Sequence, residues 1–214
     1  MAKVKANLIR GTDVLLKRAR RRRMTGGRPR HLSQPVALAV AWMLVGASCL
    51  NAQKSSPTEY EVKAAYLYNF GRFVEWPAKV SAASEYFSIC VLGGDPFGAT
   101  FDATIAGESI NGKKVVVARI TRPQDAASCR ILFISSSEES RLKEILATLD
   151  KTSVLTVSDI SQFTRRGGMI RFVKDANRVR FEVNLTTAEH AGLTLSSQLL
   201  KVAISVKRSS QPGD

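Results

Sequence analysis

The sequence predicts a single three-layer α/β domain with a mostly parallel sheet, a C-terminal antiparallel hairpin and helices on both faces of the sheet. Four short apolar runs alternate with helical or turn-like segments, and continuous apolar strands are typical of a parallel sheet that is buried on both faces. Two later runs flank the polar sequence KDAN, which predicts the hairpin. Apolar residues at helical spacing predict the covering helices.

The first helix follows the sequence SPTE. Here Ser56 is expected to cap the helix, Pro57 to take its first position and Glu59 to complete a capping box. Because proline disfavours helical geometry in the preceding residue, Pro77 is expected to end the helix at Trp76. Helical spacing places four apolar residues on one face, which predicts a core stripe: Val62, Tyr66, Phe70 and Phe73.

The same helix has further apolar positions outside this stripe. Tyr60, Leu67 and Val74 form a second apolar line, which indicates that the helix is covered on much of its circumference. Gly71 lies within the helix at a cost of about 1 kcal/mol relative to alanine, and this indicates a close packing contact.

The remaining elements follow from the same two periodicities. The predicted parallel strands are Tyr86–Leu92, Lys113–Ile120, Arg130–Ser135 and Ser153–Val157. A helix is expected over 137–150, hairpin strands over 168–173 and 178–183, and a last helix from Thr186 to Val206. Residues 208–214 are expected to form a disordered tail.

The strong positive charge of the chain is concentrated at its beginning. Of the net charge of +14, residues 1–34 contribute +10, from eleven Lys and Arg against Asp13. The remainder carries about +4, which is ordinary for a protein surface. Because the basic run lies in a segment with the features of an export signal, nucleic-acid binding is not expected.

Residues 1–52 have the pattern of a signal peptide with a basic extension. The apolar part, Val36 to Val45, is shorter than the roughly 20 residues that a membrane-spanning helix needs. Cleavage is expected after Ala52, and the true start of the chain is either Met1 or Met24. Lipidation at Cys49 is the less favoured alternative, because the sequence before it departs from a lipoprotein signal. We therefore expect a periplasmic domain over residues 53–207 and no stable membrane span.

Two cysteines remain after cleavage. An oxidising compartment favours a disulfide between Cys90 and Cys129, and two buried thiols are the alternative.

The loops after the predicted parallel strands offer a place for a small ligand, because ligands usually bind at the carboxyl ends of such strands. Gly93 and Asp95 follow the first strand, and Ser135 ends the third. They could bind an anion or another small ligand through backbone amides at helix N-termini. The alternative is that the serines only cap a helix.

Enzymatic activity is not expected from these residues. The exported chain has one histidine, His190, and it lies in a helical pattern without a second histidine or a free cysteine beside it. No nucleophile motif surrounds Ser136. We therefore predict no catalytic residues, no metal and no cofactor.

Several segments, in the same order, resemble the YfiR-like family of exported proteins. The resemblance covers about Glu59 to Val206 and is carried by these segments: AAYLYNFGRFVEWP, INGKKVVV, CRILFIS, VLTVSDISQF, GGMIRFV and RVRFEVNLTTAEHAGLTLSSQLLKVA. It implies a non-enzymatic periplasmic α/β domain, often a homodimer.

The resemblance also implies a partner, the periplasmic domain of an inner-membrane signalling protein. In the best-known family members this partner is a diguanylate cyclase, which they repress, and other members form the sensor part of signalling proteins such as a sensor kinase. Cys90 and Cys129 match a family disulfide, whereas a second cysteine pair of some members has no counterpart here. On the first helix, Tyr68, Arg72 and Trp76 lie off the predicted core stripe and are candidates for binding a partner or ligand. The alternative function is a sensor module that binds a small ligand.

Overall fold

The fold contains ten strands and six α-helices within the residues that the computed structural model describes, 56–82 and 84–208. The helices are α1 (Glu59–Phe73), α2 (Ala78–Ala82), α3 (Ala99–Ile105), α4 (Leu142–Thr148), α5 (Leu185–His190) and α6 (Ser197–Val202). The strands are β1 (Val74–Glu75), β2 (Tyr86–Leu92), β3 (Ser109–Ile110), β4 (Lys113–Ile120), β5 (Ile131–Ile134), β6 (Leu155–Ser158), β7 (Ile170–Asp175), β8 (Arg178–Asn184), β9 (Thr194–Leu195) and β10 (Ser205–Lys207). Two 3-10 helices, Pro123–Ser128 and Ser136–Arg141, precede β5 and α4. The predicted signal peptide and residues 209–214 of the predicted tail lie outside the described residues.

One eight-stranded sheet organises the domain, in the spatial order β3, β4, β2, β5, β6, β7, β8, β10. The neighbouring strands from β4 to β7 are all parallel, with Ile89 of β2 paired with Ile131 of β5. The hairpin of β7 and β8 is antiparallel, and its two turn residues, Ala176 and Asn177, both have positive φ. The predicted mostly parallel sheet with a C-terminal hairpin is therefore confirmed.

Two separate apolar clusters cover the two faces of this sheet. Ile89 and Val91 of β2 lie in the first cluster with α1, α3, α5 and α6, whereas Cys90 and Leu92 lie in the second with α4 and the first 3-10 helix. Strand side chains alternate between faces, so one continuous apolar strand supplies both clusters. The domain consequently has the three layers that the sequence predicts.

The apolar runs predicted the strand positions closely. The bounds of β2 and β4 are those predicted, and β5 is one residue shorter at each end than the predicted 130–135. Strand β6 is shifted toward the C-terminus, to 155–158, because its pairing with β5 begins only at Leu155. The hairpin strands differ from the predicted bounds by one or two residues.

Both predicted ends of the first helix were wrong. Thr58 caps α1 in place of Ser56: its side chain accepts a hydrogen bond from the backbone amide of Glu61, whose carboxylate accepts one from the Thr58 amide in return. The helix ends at Phe73 because the next two residues form β1, which pairs with β9.

The predicted last helix, 186–206, was also wrong. The chain forms α5, β9, α6 and β10 over this range. Gly192 has a φ of +75°, which a continuing helix does not allow, and the backbone amide of Ser196 donates to Phe73 as β9 pairs with β1. Ser196 then caps the short helix α6. Pairing with neighbouring strands therefore overrides the helical periodicity of this segment.

The buried side of α1 is not the predicted stripe. The buried residues of this helix are Lys63, Ala64, Leu67, Phe70 and Gly71. Of the predicted stripe, Phe70 alone is fully buried, while its other three residues are half-buried. The second apolar line faces the sheet more directly, since Leu67 and Val74 are both buried. The predicted stripe thus flanks the core and faces partly outward.

The two cysteines form a disulfide in the second cluster. Cys90 and Cys129 are joined with 5.9 Å between their Cα atoms, and both side chains are buried. The bridge links β2 to the residue that follows the first 3-10 helix. It closes a loop with a sequence separation of 39 residues.

Candidate functional site

A groove along α1, which we call the α1 groove, is the candidate functional site. It consists of two cavities that residues of α1 help to line, of about 350 Å³ and about 450 Å³. The first is lined by Tyr66, Asn69, Phe70, Phe73, Phe181, Gln198, Leu199 and Val202. The second is lined by Ser56, Pro57, Glu59, Val62, Lys174, Asn177, Arg178 and Val179. All four residues of the stripe that was predicted to form core line this groove, which explains why most of them are only half-buried.

The apolar cavity has an aromatic wall and an aliphatic mouth. Tyr66 packs against the rings of Phe70, Phe172 and Phe181, with centroid distances of 5.9, 5.9 and 5.5 Å. Val202, at the end of α6, is 56% exposed, one of the most exposed large apolar residues among the described part of the chain. Packed aromatic side chains beside an exposed aliphatic residue are typical of a surface that binds an apolar partner group.

The second cavity has a polar and mostly cationic rim. Lys174 and Arg178 from the hairpin face Glu59 at the start of α1, with 3.8 Å between the Lys174 ammonium and the Glu59 carboxylate. Val62 and Val179 provide its apolar surface. From Val62 to Phe73 the helix rises about 16 Å, so the two cavities together match roughly five residues of an extended peptide.

A buried ion pair fixes α1 against the sheet behind the groove. Lys63 is 3% exposed, and its Nζ lies 2.7 Å from a carboxylate oxygen of Asp159, after β6, and 2.7 Å from one of Glu59. Tyr60 also donates to Asp159, at 3.3 Å, and the Lys63 ammonium lies 4.4 Å from the centre of the Tyr60 ring. The helix is thereby held at one position relative to β6.

The charged groups of this cluster stabilise one another. Burial lowers the pKa of Lys63, but hydrogen bonds to Asp159 and Glu59 outweigh burial, so that this pKa lies above its ordinary value. The hydrogen bond from Lys63 holds the pKa of Glu59 below its ordinary value. Burial, together with the Asp159 carboxylate, raises the pKa of Tyr60. Lys63 is therefore a fully charged anchor near neutral pH.

The predicted small-ligand residues Gly93 and Ser135 lie side by side at the carboxyl ends of β2 and β5. The structure fills the space between them with protein atoms. The Gly94 amide donates to the Ser137 hydroxyl at 2.9 Å, and a Cβ atom at Gly93 would lie 2.5 Å from that hydroxyl and 2.6 Å from Glu138. Ser135 is buried and caps the 3-10 helix after it. This geometry favours the capping role of the serines.

Asp95 belongs to a separate charged cluster. One of its carboxylate oxygens accepts from the Phe97 amide at 2.8 Å, and the other accepts from Arg119 at 3.0 Å. Arg119 also pairs with Asp102 at 2.6 Å, and this hydrogen bond holds the pKa of Asp102 below its ordinary value. The cluster connects the loop after β2 to β4 and α3.

The three candidate residues of α1 and its C-terminal side differ in exposure and in the contacts that they make. Tyr68 is half-buried and donates to Glu108 at 2.7 Å, and this hydrogen bond raises the pKa of Tyr68. Trp76 packs edge-on against Phe87 at 5.3 Å, and its buried indole N–H has no partner within the described residues. Arg72 is exposed. Their role in binding stays a prediction.

The residues that would indicate catalysis are not assembled. His190 is exposed at the end of α5, and Ser136 is exposed at the start of the second 3-10 helix. Among the described residues no group of three or more His, Cys, Asp or Glu is placed to hold a metal ion. Within 56–82 and 84–208, no helix has both the length and the apolar character for crossing a bilayer.

A family model described as YfiR/HmsC-like matches residues 60–204, which is most of the chain. The chain belongs to the YfiR/HmsC-like family. The matched segment includes α1 from its second residue, the disulfide cysteines and most residues of the α1 groove. No curated protein sequence matches this YfiR/HmsC-like chain.

Solved structures match this chain at low sequence identity. A conserved domain protein from Vibrio cholerae O1 biovar El Tor is 15% identical, with a TM-score of 0.50, over 72% of this chain and 62% of that chain. The ABC domain in complex with L-Trp from Streptococcus pneumonia is 12% identical, with a TM-score of 0.45, over 66% and 59%. The YfiR/HmsC-like chain spans less than two thirds of the length of either protein.

Proposed function

We propose that this YfiR/HmsC-like protein is a non-enzymatic periplasmic regulator that binds the periplasmic domain of an inner-membrane diguanylate cyclase and represses it. The α1 groove is the surface that binds this partner. The observation that carries the proposal is the half-buried aromatic and aliphatic wall along α1, in a family that suggests such a regulator.

The groove defines the partner segment by its chemistry. Apolar side chains would enter the cavity beside Tyr66 and Val202, where they would be removed from water. An acidic side chain would face Lys174 and Arg178 at the other end, whose charges exceed that of Glu59. Short apolar segments bind grooves of this kind through a few anchor residues.

Repression would follow from mass action. Binding in the groove would favour the inactive conformation of the partner. Loss of the contact would let the partner return to its active conformation. The rigid support of α1 by Lys63 and Asp159 lowers the entropic cost of binding, because the wall of the groove is ordered beforehand.

The test is capture of the membrane partner by the exported protein and by a variant with a charge in the groove. Val202→Glu places a carboxylate at the mouth. Tyr86→Glu is the matched control, since Tyr86 is also a large exposed residue, at 49%, and lies on β2 rather than on α6. Membranes from the native cell are solubilised, and captured proteins are identified by mass spectrometry. We expect the wild type and the control to capture a diguanylate cyclase. Val202→Glu should capture at least tenfold less of it, which corresponds to about 1.4 kcal/mol of binding free energy. Equal capture by both variants would show that the groove is not the binding surface.

A further inference from the structure

The end of the domain that carries the hairpin and the C-terminal strand is strongly basic. Residues 165–208 contain nine Lys and Arg against three Asp and Glu, whereas residues 56–164 contain eleven Lys and Arg against thirteen Asp and Glu. The excess positive charge of the described residues therefore lies entirely in the segment 165–208. An uneven charge distribution of this kind orients a protein near an anionic surface, with its basic side toward that surface.

Part of this end of the sheet lacks a covering layer. The second apolar cluster contains no residue of β7, β8 or β10. Because Phe181 and Val183 face the first cluster, the alternating residues Arg180 and Glu182 face the opposite side, where both are half-buried. Glu182 is paired with Arg171, at 3.3 Å, and not with Arg180.

Exposed aliphatic residues lie beside these charges. Ile204 is 43% exposed directly before β10, and its amide donates to Phe181 of β8. Lys201, Lys207 and Arg208 flank it in the chain, and all three are exposed. We call the set Arg180, Lys201, Ile204, Lys207 and Arg208 the basic edge. None of its four cations has an ion pair among the described carboxylates.

We propose that the basic edge binds the anionic phospholipid surface of a membrane. The cations of the basic edge come from the end of α6, from β8 and β10, and from the residue after β10. Because they are spread out, mobile lipid headgroups can reach each of them separately. Ile204 would enter the region between headgroups and acyl chains, as exposed aliphatic residues of peripheral proteins do. A second copy of this chain is disfavoured at the same edge, since it would bring like charges together.

This contact is separate from the α1 groove and adds to the regulator a means of staying beside its membrane partner. Holding two molecules at one surface raises their effective concentration without a new contact between them. The contact is weak by itself and sensitive to salt, because it rests on a few exposed charges.

Vesicle sedimentation of the exported protein tests the proposal. Vesicles of phosphatidylglycerol and phosphatidylethanolamine are compared with vesicles of phosphatidylcholine alone, at low and high salt. The test variant is Lys201→Glu/Lys207→Glu/Arg208→Glu. The control is Lys79→Glu/Lys114→Glu/Lys143→Glu, which changes the net charge equally at exposed positions elsewhere. Thermal unfolding of each variant shows whether it is folded.

Wild type and control are expected to bind only the anionic vesicles and to lose this binding at high salt. The test variant should bind the anionic vesicles at least tenfold more weakly than wild type. Ile204→Ser should weaken binding without changing its salt dependence. Absence of binding at low salt, equal binding to both kinds of vesicle, or equal loss in the two triple variants would overturn the proposal. If soluble polyglutamate binds as tightly as the vesicles, and Ile204→Ser leaves that binding unchanged, the basic edge would instead be a site for acidic polypeptides.

Discussion

Lys63 in α1 and Asp159 after β6 form a buried ion pair, with 2.7 Å between the ammonium nitrogen and a carboxylate oxygen, although they are 96 positions apart in the chain. This pair fixes the helix that forms one wall of the α1 groove. Its energetic role can be measured, because a second cation near the same cluster, Lys174, is 62% exposed and serves as a control.

Replacing Lys63 should destabilise the fold. Lys63→Met leaves the Asp159 carboxylate, whose side chain is 18% exposed, without its cation, and we expect a loss of about 2 kcal/mol. Lys174→Met should change the free energy of unfolding by less than about 0.5 kcal/mol, since exposed pairs contribute little. Urea unfolding of the two variants measures both values, and similar losses would contradict the anchoring role of Lys63.

The contribution of Glu59 to the stability of the fold should depend on pH. Because the hydrogen bond from Lys63 lowers the pKa of Glu59 in the folded protein below its ordinary value of 4.5, the unfolded chain takes up the proton first as pH falls. The stability difference between wild type and Glu59→Gln is therefore present above pH 4.5 and disappears as pH falls through the folded pKa. Denaturant unfolding at a series of pH values would show this. A difference of the same size at neutral and strongly acidic pH would speak against it.

Gly71 should not tolerate a side chain. A Cβ atom there would lie 2.5 Å from Cδ1 of Ile110 and 2.9 Å from Cζ of Phe87, both buried residues. We expect Gly71→Ala to destabilise by about 1–2 kcal/mol, although alanine is the better helix former. Gly94→Ala is the control, since its nearest atoms lie at 3.6 Å or more. Melting temperatures compare the two, and a more stable Gly71→Ala protein would refute the packing argument.

The disulfide should be present in the exported protein. Peptide mass spectrometry without reduction is expected to find Cys90 linked to Cys129, and alkylation of both thiols would contradict the structure. Cys90→Ala/Cys129→Ala removes a bridge with a sequence separation of 39 residues, which stabilises by about 4 kcal/mol in the chain-entropy model. Reduced wild-type protein is the matched comparison, because it keeps both sulfur atoms in the core.

Local signals in the sequence were sufficient for the central strands of the sheet and for the hairpin. The bounds of β2 and β4 were predicted because each is a continuous apolar run between turn-forming residues. The last helix was predicted wrongly because the pairing of β9 with β1 and of β10 with β8 joins residues far apart in sequence. Long-range pairing of this kind leaves no periodic signal within the segment itself.

The candidate site was less predictable for a similar reason. The spacing of Val62, Tyr66, Phe70 and Phe73 places them on one face of a helix but does not say what lies opposite that face. Here the hairpin and α6 lie beside it and leave a groove. The pairing of Lys63 with Asp159 could not be predicted, since nothing in the sequence indicates which distant carboxylate faces a lysine on a mostly apolar helix.

Cellular cyclic diguanylate is the most direct measurement of the central claim, that the α1 groove represses a diguanylate cyclase. A strain that lacks the protein is complemented with wild type, Val202→Glu or Tyr86→Glu, with and without the captured cyclase. We predict high cyclic diguanylate in the deletion and in the Val202→Glu strain, low levels with wild type and Tyr86→Glu, and no difference among strains that lack the cyclase. Equal levels in the deletion and the wild type, or full repression by a folded Val202→Glu protein, would contradict the account.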